Sequence, residues 1–182
     1  MSLDIYEILE IPDSSDRELQ DLFLERGWGD GLPMVAPTRD RVEEMLSASK
    51  GLDADEVIAS LPPRDGIATR RIIAVNAVMA GCKPEHLPVL VSAIRALSAP
   101  EINLRGVNAT THCVAPLLIV HGKAAKEGNF NSGLGAFGPG NLANAATGRA
   151  VRAAAIASAV GDKELLGRLW PSKRRKRWRG RA

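Results

Sequence analysis

Cys82 stands in Gly81-Cys82-Lys83-Pro84-Glu85-His86, between one expected helix and the next. A thiol close to a helix N-terminus ionises more readily, because the partial positive charge there favours thiolate. Lys83 adds positive charge. His86 lies about one turn on, where it could act as a base or hydrogen-bond partner. Cys82 is thus a candidate reactive thiol. The alternative is a small core residue, since free cysteine is among the most buried types. Asp30 stands in Trp28-Gly29-Asp30-Gly31-Leu32-Pro33, a lone carboxylate between glycines that permit unusual backbone angles. It could move protons or orient a ligand, or cap its own turn. Cys82, Asp30 and His86 are the catalytic candidates.

The segment NSGLGAFGPGN (131–141) matches G-x-G-x-x-G at Gly133, Gly135 and Gly138. A dinucleotide site needs a strand directly before the glycines and an acid about 20 residues after them. Residues 142–161 contain no acid, so that fold is not expected. A looser reading remains. Glycines let backbone N–H groups converge on one point, and the following helix N-terminus adds to the field. Asn131, Ser132, Gly133, Gly135, Gly138, Gly140 and Asn141 are therefore candidate contacts for a phosphate, carboxylate or oxyanion. A turn-rich surface loop is the alternative. From Asn129 to Gly161 the only charged residues are Arg149 and Arg152, which share a helix face at i and i+3. A buried Arg149 needs a partner. A bound anion or Asp30 could supply it, so Arg149 joins the substrate-binding candidates.

His112, Cys113 and His121, with Cys82 and His86, could be imagined as a metal site. No C-x-x-C is present, the spacing fits no tight zinc pattern, and adjacent strand residues point to opposite faces. No metal ligand is assigned and no cofactor is identified.

These side chains must be positioned by a chain of 182 residues, about one domain. Ser15-Asp16-Arg17-Glu18 reads as a capping box opening a helix near 16–26. Thr38 caps a second helix near 39–49. Residues 51–66 read as a loop. Thr69 starts a third helix, which Gly81 ends, and Pro84 opens a fourth to about 97. Residues 103–112 and Ala115–Val120 read as strands. An Ala-rich helix runs from about 141 to 160. The expected class is α+β, or α/β with a small sheet, as one helix-rich globular domain over 1–171.

Composition narrows the function classes. Apolar residues are 45% and charged residues 25%, ordinary for a globular chain. No apolar run approaches the ~18 residues of a membrane span. Two cysteines and no visible signal segment suggest the cytoplasm. The net charge of +3 comes from SKRRKRWRGRA (172–182), which holds seven Lys and Arg and reads as a disordered tail. Setting those seven aside reduces 24 Lys and Arg to 17, against 21 Asp and Glu, so the body is net −4. Nucleic-acid binding through the tail ranks last, because only 4% of residues are aromatic.

Four segments carry a resemblance: RGWGDGLPMVAPT (26–38), AVNAVMAGCKPEHLPVL (74–90), NATTHCVAPLLIVHG (108–122) and NSGLGAFGPGNLANAATGRAVR (131–152). They resemble a poorly characterised bacterial family with W-x-D-G-L-P-x-x-x-P-T and A-G-C-x-P-E motifs. Its members can be encoded near a protein with a Sec/Cys-Gly-Ser-Cys motif, and some carry thiol-oxidoreductase names. The resemblance implies functional roles for Cys82, Asp30 and the glycine loop, and a thiol- or selenol-bearing partner protein. Family members continue beyond the Ala-rich helix, where this chain has its basic segment.

The first expectation is a thiol-dependent, oxidoreductase-like enzyme or enzyme subunit acting on a small anionic molecule. Cys82 would be the reactive thiol and the 132–140 loop the anion or oxyanion site. The alternative is a non-catalytic ligand-binding or structural subunit of a hetero-oligomer.

Overall fold

The computed structural model describes residues 15–26, 28, 30–62, 65–110 and 114–159, with side chains as far as 154. The basic segment 172–182 and the pair His112–Cys113 lie outside the described residues. Among the described residues, seven α-helices and a two-stranded sheet make a helix-rich α+β domain. Among the described residues no single helix is long and apolar enough to cross a membrane.

The centre is α3 (Arg70–Met79), started by the Thr69 hydroxyl, which accepts a hydrogen bond from the Ile72 N–H. Its sequence, RRIIAVNAVM, is apolar on nearly every side, and every residue but Arg71 is buried. It packs against α2 (Arg39–Ser47), α4 (Leu87–Leu97) and α7 (Leu142–Ala159). The contact face of α7 is Ala143, Ala146, Ala150, Val151 and Ala154. Small side chains let helix axes approach to the lower end of the usual 8–10 Å spacing. That is the structural use of the alanine run. Phe23 of α1 (Asp16–Glu25) completes the core with Trp28, and the capping box at Ser15 and Glu18 is formed.

Three expectations are corrected. The predicted loop 51–66 contains β1 (Val57–Leu61), antiparallel to β2 (Gly66–Thr69), with Ser60 opposite Ile67 and Leu61 opposite Gly66. Pro62 marks the turn rather than a structureless stretch. Four to five residues per strand are too few to show a period against such breakers. The predicted strand 103–112 is instead α5 (Leu104–Ala109) at its start, opened by Asn103 in the left-handed region at φ 47° with its side chain capping Gly106. A local cap here overrides the β-propensity of Val107 and the threonines. Among the described residues the predicted strand 115–120 pairs with no other strand. After it, α6 (Gly122–Glu127) leads to the glycine loop.

Candidate functional site

Asp30 and Arg149, 119 residues apart, meet face to face. The Arg149 Nε and Nη2 donate to the two Asp30 carboxylate oxygens at 2.7 Å each. Nη1 donates to the Pro33 carbonyl at 2.9 Å, and Nη2 also reaches the Leu32 carbonyl at 3.2 Å. The fork therefore spends four of about five N–H groups on one loop. Asp30 also accepts the Leu32 N–H in an Asx turn, and its pKa is lowered by Arg149, chiefly through the hydrogen bonds. Gln20 of α1 grips the same loop from the other side. Its amide donates to the Met34 carbonyl at 2.7 Å and accepts the Met34 N–H at 3.0 Å. Asp30 and Arg149 are thus mutual partners that pin the WGDGLP loop onto α7.

Cys82 follows the end of α3. Gly81, at φ 83°, turns the chain with its N–H on the Val78 carbonyl, and the Cys82 N–H closes on the Ala77 carbonyl. This pair of bonds is a Schellman stop. It places Cys82 at the carbonyl end of α3, where the dipole opposes an anion. The expected helix start is also farther away, because Pro84–His86 form a 3-10 turn and α4 begins only at Leu87. Burial pushes the Cys82 thiol up to about 12. The Thr147 hydroxyl and the Arg149 charge pull the other way without overcoming it. Thr147 is 2% exposed and its hydroxyl makes no well-formed hydrogen bond. Burial thus works against the thiolate expected at Cys82, while Thr147 and Arg149 favour it.

His86 is buried, and both ring nitrogens are occupied. Nδ1 accepts the Lys83 N–H at 3.2 Å, so the proton sits on Nε2, which donates to the Gly128 carbonyl at 3.1 Å. Phe130 packs on the ring at 5.5 Å between centroids. These contacts tie the turn before α4 to the turn after α6 through His86.

The glycine loop is tied to itself. Asn131 accepts the Gly133 N–H and donates to the Leu134 carbonyl. Asn141 caps α7 by accepting the Asn144 N–H, and its amide donates to the Asn129 carbonyl. Asn144 bonds Asn131 through both its N–H and its carbonyl and also donates to the Ala136 carbonyl. Gly138 donates to the Gly135 carbonyl at 2.8 Å. Gly135 and Gly140 take φ of 77° and 103°, which only glycine adopts without strain. Ser132 is exposed on the loop's surface. The N-cap of α7 is filled by Asn141, and the loop exposes Leu134 and Phe137 alongside Ser132.

The structure thus brings Asp30 and Arg149 together and sets Cys82 within their field, while His86, Asn131 and Asn141 serve other contacts. Gln20, Asn144 and Thr147 were not anticipated. Thr147 had a visible signal, a hydroxyl inside an alanine run. Gln20 and Asn144 had none, because one helical amide looks like any other until its partner is known. No protein-family model matches the chain, and neither does a curated protein or a solved structure.

Proposed function

We propose that this chain is a structural, non-catalytic subunit of a cytoplasmic oligomer, and that Val114–Val120 is its pairing edge. One observation carries the reading. Among the described residues no backbone group of Val114–Val120 has a hydrogen-bond partner. Burial alternates along it, with Pro116, Leu118 and Val120 half-buried and Leu117 and Ile119 exposed. Ile119 is 81% exposed. An extended apolar segment with open N–H and C=O groups is a template for strand addition. Exposed Val114, Leu117, Leu134, Phe137 and Leu142 add aliphatic and aromatic surface that a monomer seldom leaves bare.

The occupant that fits is a second copy. An antiparallel pair centred on Leu118 sets Leu117 opposite Ile119 of the other copy and Pro116 opposite its Val120. Pro116 has no N–H, so pairing must run through the edge that presents the groups of Leu117 and Ile119. The half-buried Cys82 with its raised thiol pKa, the doubly bonded His86 and the spent Arg149 weigh against the thiol-enzyme reading. The resemblance to a family found beside a thiol- or selenol-bearing protein also suits a subunit.

Sedimentation equilibrium tests this. The 19.4 kDa chain should show a dimer mass at micromolar concentration. Leu117→Lys and Ile119→Lys should give monomers with an unchanged circular-dichroism spectrum. A wild-type monomer, or a dimer indifferent to both substitutions, overturns the reading.

A further inference from the structure

A second region has the opposite polarity. A cavity of about 570 Å³ opens between the end of α2, the first turn of α3 and one face of α4. That volume lies within the range of small-molecule sites, about 300–1,000 Å³. Leu52, Pro88 and Val91 supply apolar wall. Lys50, Arg70 and Arg95 supply three cations, and no acidic residue lines the space. Pro88, Val91 and Arg95 fall at i, i+3 and i+7, so α4 turns one face to it.

The cations are only partly neutralised. Arg70 is 5% exposed and pairs with Glu56, and its Nε donates to the Asp53 carbonyl at 3.2 Å. Arg95 Nη2 approaches the other Glu56 oxygen at 3.6 Å. One carboxylate thus serves two guanidinium groups. Lys50 makes no ion pair among the described residues, so the cluster keeps a surplus of two positive charges. Arg70 also occupies the first position of α3, where the helix dipole already disfavours a cation. A buried arginine in that position is electrostatically costly without an anion, and the Glu56 carboxylate that serves it is shared with Arg95.

Ser49 adds a neutral donor to the same wall. It is 9% exposed and lines the cavity, and its hydroxyl bonds no other described residue. Neighbouring Ser47 by contrast donates to the Glu44 carbonyl at 2.6 Å. The Ser49 hydroxyl meets water and is free to donate to a ligand beside the cations.

We propose that this cavity binds a small organic anion, a carboxylate or phosphate head on a short apolar body. The head meets Arg95, Lys50 and the Ser49 hydroxyl, and the body lies on Leu52, Pro88 and Val91. The site is independent of the pairing edge.

Titration of the whole chain with hexanoate and with hexyl phosphate, followed by amide NMR, tests it. Both probes should give saturable shifts at Ser49, Lys50, Leu52 and Val91, and the affinity should fall as salt is raised. Hexanol, with the same body and no charge, should not saturate. Arg95→Glu and Lys50→Glu lie on exposed side chains, so the fold should persist in both. Each should weaken binding about tenfold, the worth of one charge-assisted hydrogen bond. Saturation by only one of the two anions would name the head group. Absence of saturable shifts at these residues, equal binding of hexanol, or indifference to both charge reversals overturns the proposal.

Discussion

The glycine loop and the segment Val114–Val120 are near neighbours in sequence and opposites in chemistry. In the loop, Asn131, Asn141 and Asn144 bond the loop's own backbone, and little polar capacity is left over. In Val114–Val120 no backbone group is bonded among the described residues, and the side chains facing out are aliphatic. The residues that look chemical in the sequence hold the fold. The bland ones are left open. Polar side chains in a chain of this size are first needed to satisfy backbone that cannot join helices or sheets. What they leave unsatisfied is the better guide to binding.

The sharpest test of that contrast is at Cys82, where the expected effect is largest. With the thiol raised from an ordinary 9.0 to about 12, its thiolate fraction at pH 8 falls about a thousandfold. Iodoacetamide labelling of the native protein, with mass spectrometry to separate Cys82 from Cys113, should be slower by two to three orders of magnitude than in urea. The rate should keep rising above pH 9. Linkage gives a matching stability effect. The folded pKa is the higher one, so the contribution is full below the unfolded value near 9 and is lost as pH rises towards 12. Labelling that levels off near pH 7 would restore the reactive thiol and undo the contrast.

Asn144→Ala comes next. It removes two donors and one acceptor from half-buried carbonyl and N–H groups of the loop. At about 1 kcal/mol per bond, with partial rescue by water, the loss should be about 2 kcal/mol in urea unfolding. Ser132→Ala, on the same loop but exposed, should change stability by less than about 0.5 kcal/mol. Equal effects at the two sites would show that the asparagine network does not hold the loop.

How much of this could be read in advance follows from range. The capping box at Ser15, the Thr69 cap and the Gly81 stop are local patterns, and the structure forms them where the sequence places them. Arg149 needs a partner because it sits in an alanine-rich helix, and Asp30 was one of two options. The β1–β2 hairpin was hidden because its strands are short and prolines mark its turn. The position of Cys82 was misjudged by a few residues. Cys82 therefore lies between the carbonyl end of α3 and a 3-10 turn, and not directly at the start of an α-helix. The cationic cavity was not visible at all. Lys50, Arg70 and Arg95 lie on three elements, and nothing in their spacing joins them.

The Asp30–Arg149 pair should have a smaller effect than Asn144. Its geometry is bidentate, but Asp30 remains 43% exposed, so water screens it. A double-mutant cycle on Asp30→Asn and Arg149→Gln should give about 1 kcal/mol. The folded pKa of Asp30 is the lower one. Its contribution is therefore present above the unfolded value of 3.8 and lost as pH falls through the folded one. A coupling energy that does not shrink in this acid range would mean that the loop, and not the ion pair, carries it.

The smallest effect on stability is expected where the effect on assembly is largest. Leu117 and Ile119 are turned out of the fold, so lysine at either position should move the monomer's unfolding free energy by no more than about 0.5 kcal/mol. Leu118, between them, packs partly against the core. Leu118→Ala should cost about 1–2 kcal/mol, less than the loss at a fully buried leucine. Chemical denaturation at low protein concentration, where a dimer would dissociate, separates this intrinsic effect from assembly. If all three substitutions destabilised the monomer alike, Val114–Val120 would be core that happens to be thinly covered. Alternating effects along consecutive residues would mean the segment is an edge.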